Sequence, residues 1–324
     1  MSLDGKDAAG RTPGNGFTAL CLSWNVILSI VIVILNKWVY VYVNFPNVTM
    51  TMYHFMMTFA GLLVCRAFNV FQVKHLPLRQ MLPLAMSFCG FVVLTNLSLG
   101  HNTVGTYQII KMLTMPTIMV IQNYWYNKSF SLGIKLTLIP LTLGVYLSTC
   151  YDIRFNLLGT CYALAGVFIT SLYQVWVGEK QKEFQVNSMQ LLFYQAPLSA
   201  LMLMVLVPFI EPPWAPGGFL YQSWSRLHLA LVLLTGVVAF LVNLSIYWII
   251  GNTSAVTYNV VGHMKFVLVL AGGFIVFQDP IHFEQAIGIV VTVTGMLLYT
   301  YIKLKEVHEA SSPAFVQAKL VIKS

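Results

Sequence analysis

Residues 96–111 read NLSLGHNTVGTYQIIK, and residues 243–265 read NLSIYWIIGNTSAVTYNVVGHMK. Both strings pass through Asn-Leu-Ser, a glycine, Asn-Thr, Thr-Tyr and a terminal lysine, the second with seven extra residues. Self-similarity of this kind marks a duplicated structural unit. Each string joins two long apolar runs, and those runs decide what the unit is.

The 324-residue chain is 58% hydrophobic and only 9% charged, with a mean hydropathy of +0.76. Soluble domains carry about 25% charged residues, so a soluble body of this size could not cover its surface. The composition excludes an isolated cytosolic enzyme and a disordered chain, and leaves a multi-spanning membrane protein. A span needs about twenty apolar residues. Ten stretches qualify: 17–38, 47–65, 80–99, 103–126, 131–150, 156–178, 188–208, 228–250, 253–277 and 282–302. The loops are short and several carry helix-stopping residues, such as Pro46 and Pro212-Pro213. The fold expected is therefore all-α and polytopic, with ten transmembrane helices.

The first string runs from span three into span four and the second from span eight into span nine, a displacement of five. A unit with an odd number of helices leaves its copy upside down in the bilayer. The expectation is two inverted five-helix repeats, residues 17–150 and 156–303, between tails 1–16 and 304–324. Inverted repeats are a signature of alternating-access transporters, with the binding site near the midplane at the repeat interface. With the N-terminus in the cytosol, thirteen Lys and Arg residues of loops and tails lie inside and three outside (Lys37, Arg154, Arg226). The positive-inside rule then puts both termini in the cytosol. Residues 1–16 are polar and do not read as a signal peptide. The five cysteines show neither CxxC nor His-x-x-Cys spacing, so no metal site, cofactor or disulfide framework is expected.

Two basic residues remain, Lys111 in span four and Lys265 in span nine, and the repeat makes them counterparts. At 1.5 Å per residue they lie about 12 Å and about 18 Å from the start of their spans, too deep to snorkel. All ten acidic residues fall in loops, tails or helix ends, so neither lysine has an obvious carboxylate at membrane depth. A lysine at the bilayer centre costs about 2.5–3.5 kcal/mol. Two of them about 8 Å apart add roughly 2 kcal/mol of repulsion at an effective dielectric of about 20. An anion that regularly fills the site removes both costs, which points to an anionic solute held between spans four and nine. Lysines held neutral, or bonded to helix carbonyls, are the structural alternative.

Polar residues surround each lysine. Tyr107 and Gln108 precede Lys111 by four and three residues, one turn away on its face, and Thr114 follows by three. Tyr258 shares the face of Lys265, whereas His263 is turned about 200° from it. Asn96, Asn243 and Tyr247, with Gln174, Tyr194 and Gln195, either line the cavity or bond one helix to another. Gly159, Ala163 and Gly166 in span six, and Gly272 and Gly273 in span nine, allow close helix contact. Asn47-Val48-Thr49 is a glycosylation sequon, expected to stay unmodified because it lies within a few residues of the membrane.

ILNKWVYVYVNFP (34–46), LTLIPLTLGV (136–145), SLYQVWVGEKQ (171–181), QLLFYQAP (190–197) and NTSAVTYNVVGHMKF (252–266), with the first repeat string, carry a family resemblance. Over about residues 20–305 the chain resembles the nucleotide-sugar and triose-phosphate translocators of the drug/metabolite transporter superfamily. More narrowly, it is similar to solute carrier family 35, subfamily E. The resemblance implies that Lys111 and Lys265 match the phosphate-holding lysines of helices four and nine in the plastid translocators. Those translocators have a histidine at Gln108 and an arginine at Phe266. Arginine supplies a bidentate fork for phosphate, and its loss argues against a small triose phosphate. Related plant nucleotide-sugar carriers have threonine at Phe266, after a similar Gly-His-x-Lys.

The reading that follows is an antiporter bringing a nucleotide sugar into the Golgi lumen in exchange for nucleoside monophosphate. Its site comprises Lys111, Lys265, Tyr107, Gln108, Tyr258, Tyr247, His263 and Phe266. Exchange of another sugar phosphate against phosphate, and a transport-inactive scaffold or regulator, are the alternatives. No HExxH, paired membrane aspartates or GxS nucleophile near a histidine supports an intramembrane enzyme. The partners expected are the solute, its counter-substrate and the lipid bilayer, with a homodimer left open and no nucleic-acid polymer. The Golgi membrane follows from the resemblance; the C-terminal AKLVIKS lacks a dilysine retrieval signal.

Overall fold

The computed structural model describes residues 15–102, 104–150, 156–214, 220, 224–255, 257–259, 262 and 283–310. Its principal elements are α1 (Asn15–Trp38), α2 (Asn47–Ala67), α3 (Leu78–His101), α4 (Val104–Lys111), α5 (Thr114–Tyr126), α6 (Leu132–Cys150), α7 (Leu157–Glu183), α8 (Ser188–Ile210), α9 (Arg226–Asn252) and α10 (Phe283–Ala310). No strand occurs among the described residues. In the bilayer every backbone polar group must be satisfied within its own segment, which leaves helices as the solution for such apolar runs. Six described helices are long and apolar enough to cross a membrane, within α1, α2, α3, α7, α8 and α9; α6 and α10 contain shorter apolar stretches, Leu132–Leu147 and Ala286–Ile302. Most of the span expected at 253–277 lies outside the described residues.

Local chemistry sets the helix ends. A π-helical turn, Val39–Val43, leads out of α1 to Asn44 at φ 53°. Pro46, extended at φ −65°, then starts α2, where a missing N–H costs nothing. The start of α2 is also held from far away in sequence. Glu211, just past α8, accepts the Val48 N–H at 2.8 Å on Oε1, and the Thr49 N–H (2.8 Å) and hydroxyl (3.0 Å) on Oε2. A carboxylate on orphan N–H groups at a helix N-terminus is a strong, charge-assisted contact. The same bonds occupy the sequon threonine and fix Asn47 in the first helical turn. At the other end of this helix pair, a capping box of Asn187 and Gln190 starts α8, and Gln190 Nε2 donates to the Gln72 carbonyl at 2.8 Å.

The packing between helices follows a pattern. The principal pairs are α6 with α10, α2 with α8, α3 with α7, α1 with α9, α2 with α9, α3 with α8 and α5 with α7. Exchanging each helix for the one five expected spans away leaves the first six unchanged: α3–α7 becomes α9–α1, α3–α8 becomes α9–α2, and the first two pairs map onto themselves. The counterpart of α5–α7 would involve the span expected at 253–277, most of which lies outside the described residues. The small residues of α7 face α3. A Cβ on Gly159 would lie 2.7 Å from Asn102 Oδ1, and one on Gly166 would touch Leu94 at 3.5 Å.

The closest crossing joins α6 and α10. A Cβ on Gly144 would lie 2.5 Å from Thr292 Oγ1, and one on Gly295 would lie 2.6 Å from the Leu141 nitrogen. A shift of 151 residues carries Gly144 to Gly295 and Leu141 to Thr292. The crossing is thus self-complementary, as at a two-fold axis.

Candidate functional site

The expected fourth span, 103–126, is two helices. Lys111 is the last residue of α4, and a turn at Met112 and Leu113 precedes α5. Pro116 explains the break. It has no N–H to offer the Met112 carbonyl, and its ring clashes with that carbonyl in a continuous helix. The chain tightens instead: the Met112 and Leu113 N–H groups reach the Ile109 and Ile110 carbonyls, both at 3.0 Å. Side chains satisfy what remains. The Thr114 hydroxyl donates to the Lys111 carbonyl at 2.6 Å, and the Ser171 hydroxyl of α7, 2.7 Å from its own Val167 carbonyl, also lies 3.2 Å from the Thr114 carbonyl. Thr114 therefore holds the break closed and does not continue the lysine face. Broken helices of this kind are tolerated at membrane depth only where protein or a cavity surrounds them.

Lys111 is exposed, whereas Ile110, Met112, Thr114 and Met115 around it are buried. Facing hydrocarbon would cost a charged lysine several kcal/mol. Lys111 makes no ion pair among the described residues. Its Nζ lies 5.8 Å from the centre of the Tyr107 ring, within cation–π reach. Tyr107 is buried, and its hydroxyl is 3.0 Å from Thr95 Oγ1 of α3. Ending α4 on a lysine also sets its charge at the negative end of the helix dipole, worth about 0.3–1 kcal/mol. Gln108 lies on α4 three residues before Lys111.

A second group gathers where α7, α9 and the residues after α9 meet. The Tyr173 hydroxyl donates to the Tyr247 hydroxyl at 3.0 Å, both side chains being buried. One residue further on, Gln174 Oε1 accepts a bond from Asn259 Nδ2, next to Tyr258, which packs on the same core. Rings at Phe55, Phe88, Tyr173 and Tyr247 form a chain with centroids 4.4, 5.3 and 6.4 Å apart. Lys265, His263 and Phe266 lie outside the described residues.

Several residues left between lining and bonding have partners. Asn243 Nδ2 donates to Thr58 Oγ1 of α2 at 3.0 Å, tying α9 to α2. Asn96 Nδ2 turns back to the Val92 carbonyl at 2.9 Å. Gln195 Nε2 donates to Ser199 Oγ at 2.8 Å, and its Oε1 is buried without a partner. Gln174 and Asn243 thus bind helices together. Sequence reasoning passed over the helix break, Tyr173 and Glu211; of these only the break had a local signal, Pro116 five residues after the lysine.

A cavity of about 890 Å³ opens elsewhere, at the ends of α3, α5 and α7, lined by Arg79, Tyr126, Trp176, Glu179, Lys180 and Lys182 among others. Its carboxylates are engaged: Glu179 with Lys128 at 2.5 Å and Lys182 at 3.6 Å, Glu183 with Lys180 at 2.7 Å. An anion there competes with those carboxylates, as it does not beside Lys111. No group of three metal-ligating side chains occurs among the described residues.

Comparison with known proteins agrees with this architecture. A crystal structure superposes with a TM-score of 0.59 at 14% identity, covering 89% of this chain and 99% of that one, a likeness of fold alone. The chain is 33% identical over 297 residues to UDP-xylose transporter 3 of Arabidopsis thaliana, covering 91% of this chain and 83% of that protein. It is 35% identical over 284 residues to UDP-xylose transporter 1 of the same plant, covering 87% and 82%. With UDP-rhamnose/UDP-galactose transporter 2 it shares 31% over 282 residues, covering 86% and 80%. The model of the Triose-phosphate Transporter family matches residues 16–300, and the chain belongs to that family.

Proposed function

We propose that this protein is an antiporter that exchanges a nucleotide sugar for a nucleoside monophosphate across the Golgi membrane. The observation that carries the reading is Lys111: exposed among buried neighbours, at the end of a broken helix, with no ion pair among the described residues. Such a charge is tolerable where an anion visits regularly. Relatives named as carriers of UDP-sugars, 31–35% identical, supply the class of that anion. In this reading Lys111 and Lys265 hold the diphosphate from spans four and nine. Tyr107, Gln108, Tyr258, Tyr247, His263 and Phe266 line the space around it.

The topology belongs to the same proposal: ten spans, two inverted repeats, both termini in the cytosol. It is supported by helix pairing that survives the exchange of halves, and by the self-complementary crossing of Gly144 and Gly295. Exchange follows from charge. Reorientation passes through an occluded state, and two lysines left there without an anion cost several kcal/mol. A bound monophosphate neutralises them for the return leg.

The test is uptake by purified protein in liposomes preloaded with nucleoside monophosphates, against a panel of nucleotide sugars, triose phosphate and phosphoenolpyruvate. Exchange of one or more nucleotide sugars is expected. Preference for a bare sugar phosphate would overturn the substrate class. Phe266→Arg should move preference toward small phosphates.

A further inference from the structure

If the two halves are inverted copies, each is a template for the other, and a departure from the template reports which side of the carrier is open. The argument rests on the inverted-repeat reading above. Helices α1 and α7 are counterparts, and their first halves match. Phe17 of α1 meets Trp248 of α9 with ring centres 5.5 Å apart, and Asn25 Nδ2 donates to Ser245 Oγ at 2.8 Å. In the same way Gly159 of α7 lies on Asn102, just past the end of α3, and the Ser98 hydroxyl donates to the Gly159 carbonyl at 3.1 Å.

Their second halves differ. α7 continues onto the end of α9: Tyr173 bonds Tyr247, and a Cβ on Gly178 would lie 3.3 Å from Ile250 Cγ2. Gln181 finishes the contact. It is buried, donates to the Tyr247 carbonyl at 3.1 Å, and lies over Gly251, where a Cβ would be 2.8 Å from the Gln181 Cδ. The counterpart would be the end of α1 against the end of α3. Those helices do not form a comparable pair among the described residues. In the repeat strings Gly251 has a counterpart in Gly100, so the sequence carries a glycine at both places.

We propose that this structure is the cytosol-closed, lumen-open state, and that the clamp of Gln181 on Tyr247 and Gly251 is the cytosolic gate. By the proposed topology the ends of α7 and α9 both face the cytosol. Opening requires Gln181 to release the Tyr247 carbonyl and slide past Gly251, which has no side chain to obstruct it. The mirror-image gate, between the ends of α1 and α3, closes as this one opens.

A cross-link tests the gate. In a full-length chain whose five native cysteines are replaced, Gly178→Cys with Ile250→Cys sets a sulfur about where Ile250 Cγ2 stands, close enough for a disulfide without backbone movement. Oxidation should form the bond, reduce exchange in liposomes at least about tenfold, and release it again on reduction of the same sample. Failure to cross-link, or undiminished exchange when cross-linked, overturns the gate. Adding Lys111→Cys separates the gate from the reading beneath it. A membrane-impermeant methanethiosulfonate should label position 111 from the lumenal face of the oxidised protein and not from the cytosolic face. Labelling from the cytosolic face sinks the gate. Labelling from neither face, oxidised or reduced, sinks the proposed substrate site and the gate with it.

Discussion

Gly295 and Gly251 both sit where a side chain would collide with a neighbouring helix, but the neighbours differ. Beside Gly295 it is the backbone of α6, at Leu141; beside Gly251 it is the end of the Gln181 side chain. Backbone in a packed helix has nowhere to go, whereas an amide on a long side chain turns about its torsions. The α6–α10 crossing is therefore fixed, and the α7–α9 contact is made to be remade. A carrier that rocks two halves about a central site needs one contact of each kind.

The comparison has functional meaning only if the space between these contacts holds the substrate, and Lys111 tests that with the largest effect. Lys111→Gln should abolish exchange while the protein still folds, because the side chain is exposed and packs against little. Lys111→Arg keeps the charge and should retain a remnant. Full exchange by Lys111→Gln would remove the lysine from the site.

Next comes the fixed contact. Gly295→Ala puts a methyl group against the Leu141 backbone, and overpacking of this kind costs about 1–3 kcal/mol. Thermal unfolding in detergent should show a clear loss of stability. Gly144→Ala, its counterpart, should lose a similar amount. If either is tolerated without change, the crossing is no axis.

Obligate exchange sharpens the same picture from the kinetic side. Each 1.4 kcal/mol slows a step about tenfold. Uptake into vesicles preloaded with the cognate monophosphate should then exceed uptake into empty ones at least about tenfold. Equal uptake would show a uniporter and end the two-lysine account of coupling.

The helices α1, α2, α3, α7, α8 and α9 were legible in the sequence because twenty apolar residues have few other fates in a membrane. The likeness of the two strings is legible because Asn-Leu-Ser, Asn-Thr and Thr-Tyr recur in order, and the inverted halves read from it belong to the proposal. The break after Lys111 was not, since hydropathy does not register Pro116, and a proline in the first turn of a helix looks the same whether or not another helix ends before it. Nor was the role of Glu211, which depends on an approach to Val48 and Thr49 across more than 160 positions. Gly144 and Gly295 share too little flanking sequence to stand out as a repeat; only the contact between their helices pairs them. Whether Asn243 and Gln174 line the cavity or bind helices turns on which way each helix is rotated, and the even spread of apolar residues around these helices gives no such angle.

Glu211 tests whether the α2–α8 pair shares the fixed character of α6–α10. Glu211→Gln keeps the shape and one acceptor but loses the charge on two backbone N–H groups. Bonds to charged groups contribute about 1.5–3 kcal/mol each, neutral ones about 0.5–1.5, so weakening one N–H bond and losing the other should cost about 2–4 kcal/mol in thermal unfolding. The sequon then becomes a reporter. Glu211→Ala also frees the Thr49 hydroxyl, and any glycan gained at Asn47 would show that the first turn of α2 had opened.

The smallest effect belongs to the movable contact. Gly251→Ala puts a methyl group where the Gln181 amide now lies, so the amide turns away and its bond to the Tyr247 carbonyl is lost. An ordinary hydrogen bond contributes about 0.5–1.5 kcal/mol, and the closed gate should lose about that much against the open one. Cytosolic labelling of a cysteine at position 111 should rise roughly two- to tenfold, since 1.4 kcal/mol is a factor of about ten. Thermal stability should fall by no more than that one bond, about 0.5–1.5 kcal/mol, because the rest of the α7–α9 contact, including the Tyr173–Tyr247 bond, is untouched. Gln181→Ala removes the same bond without adding a methyl group and should give the same rise. If Gly251→Ala instead destabilises the protein as much as Gly295→Ala, the two glycine contacts are of one kind, and α7 and α9 do not part during transport.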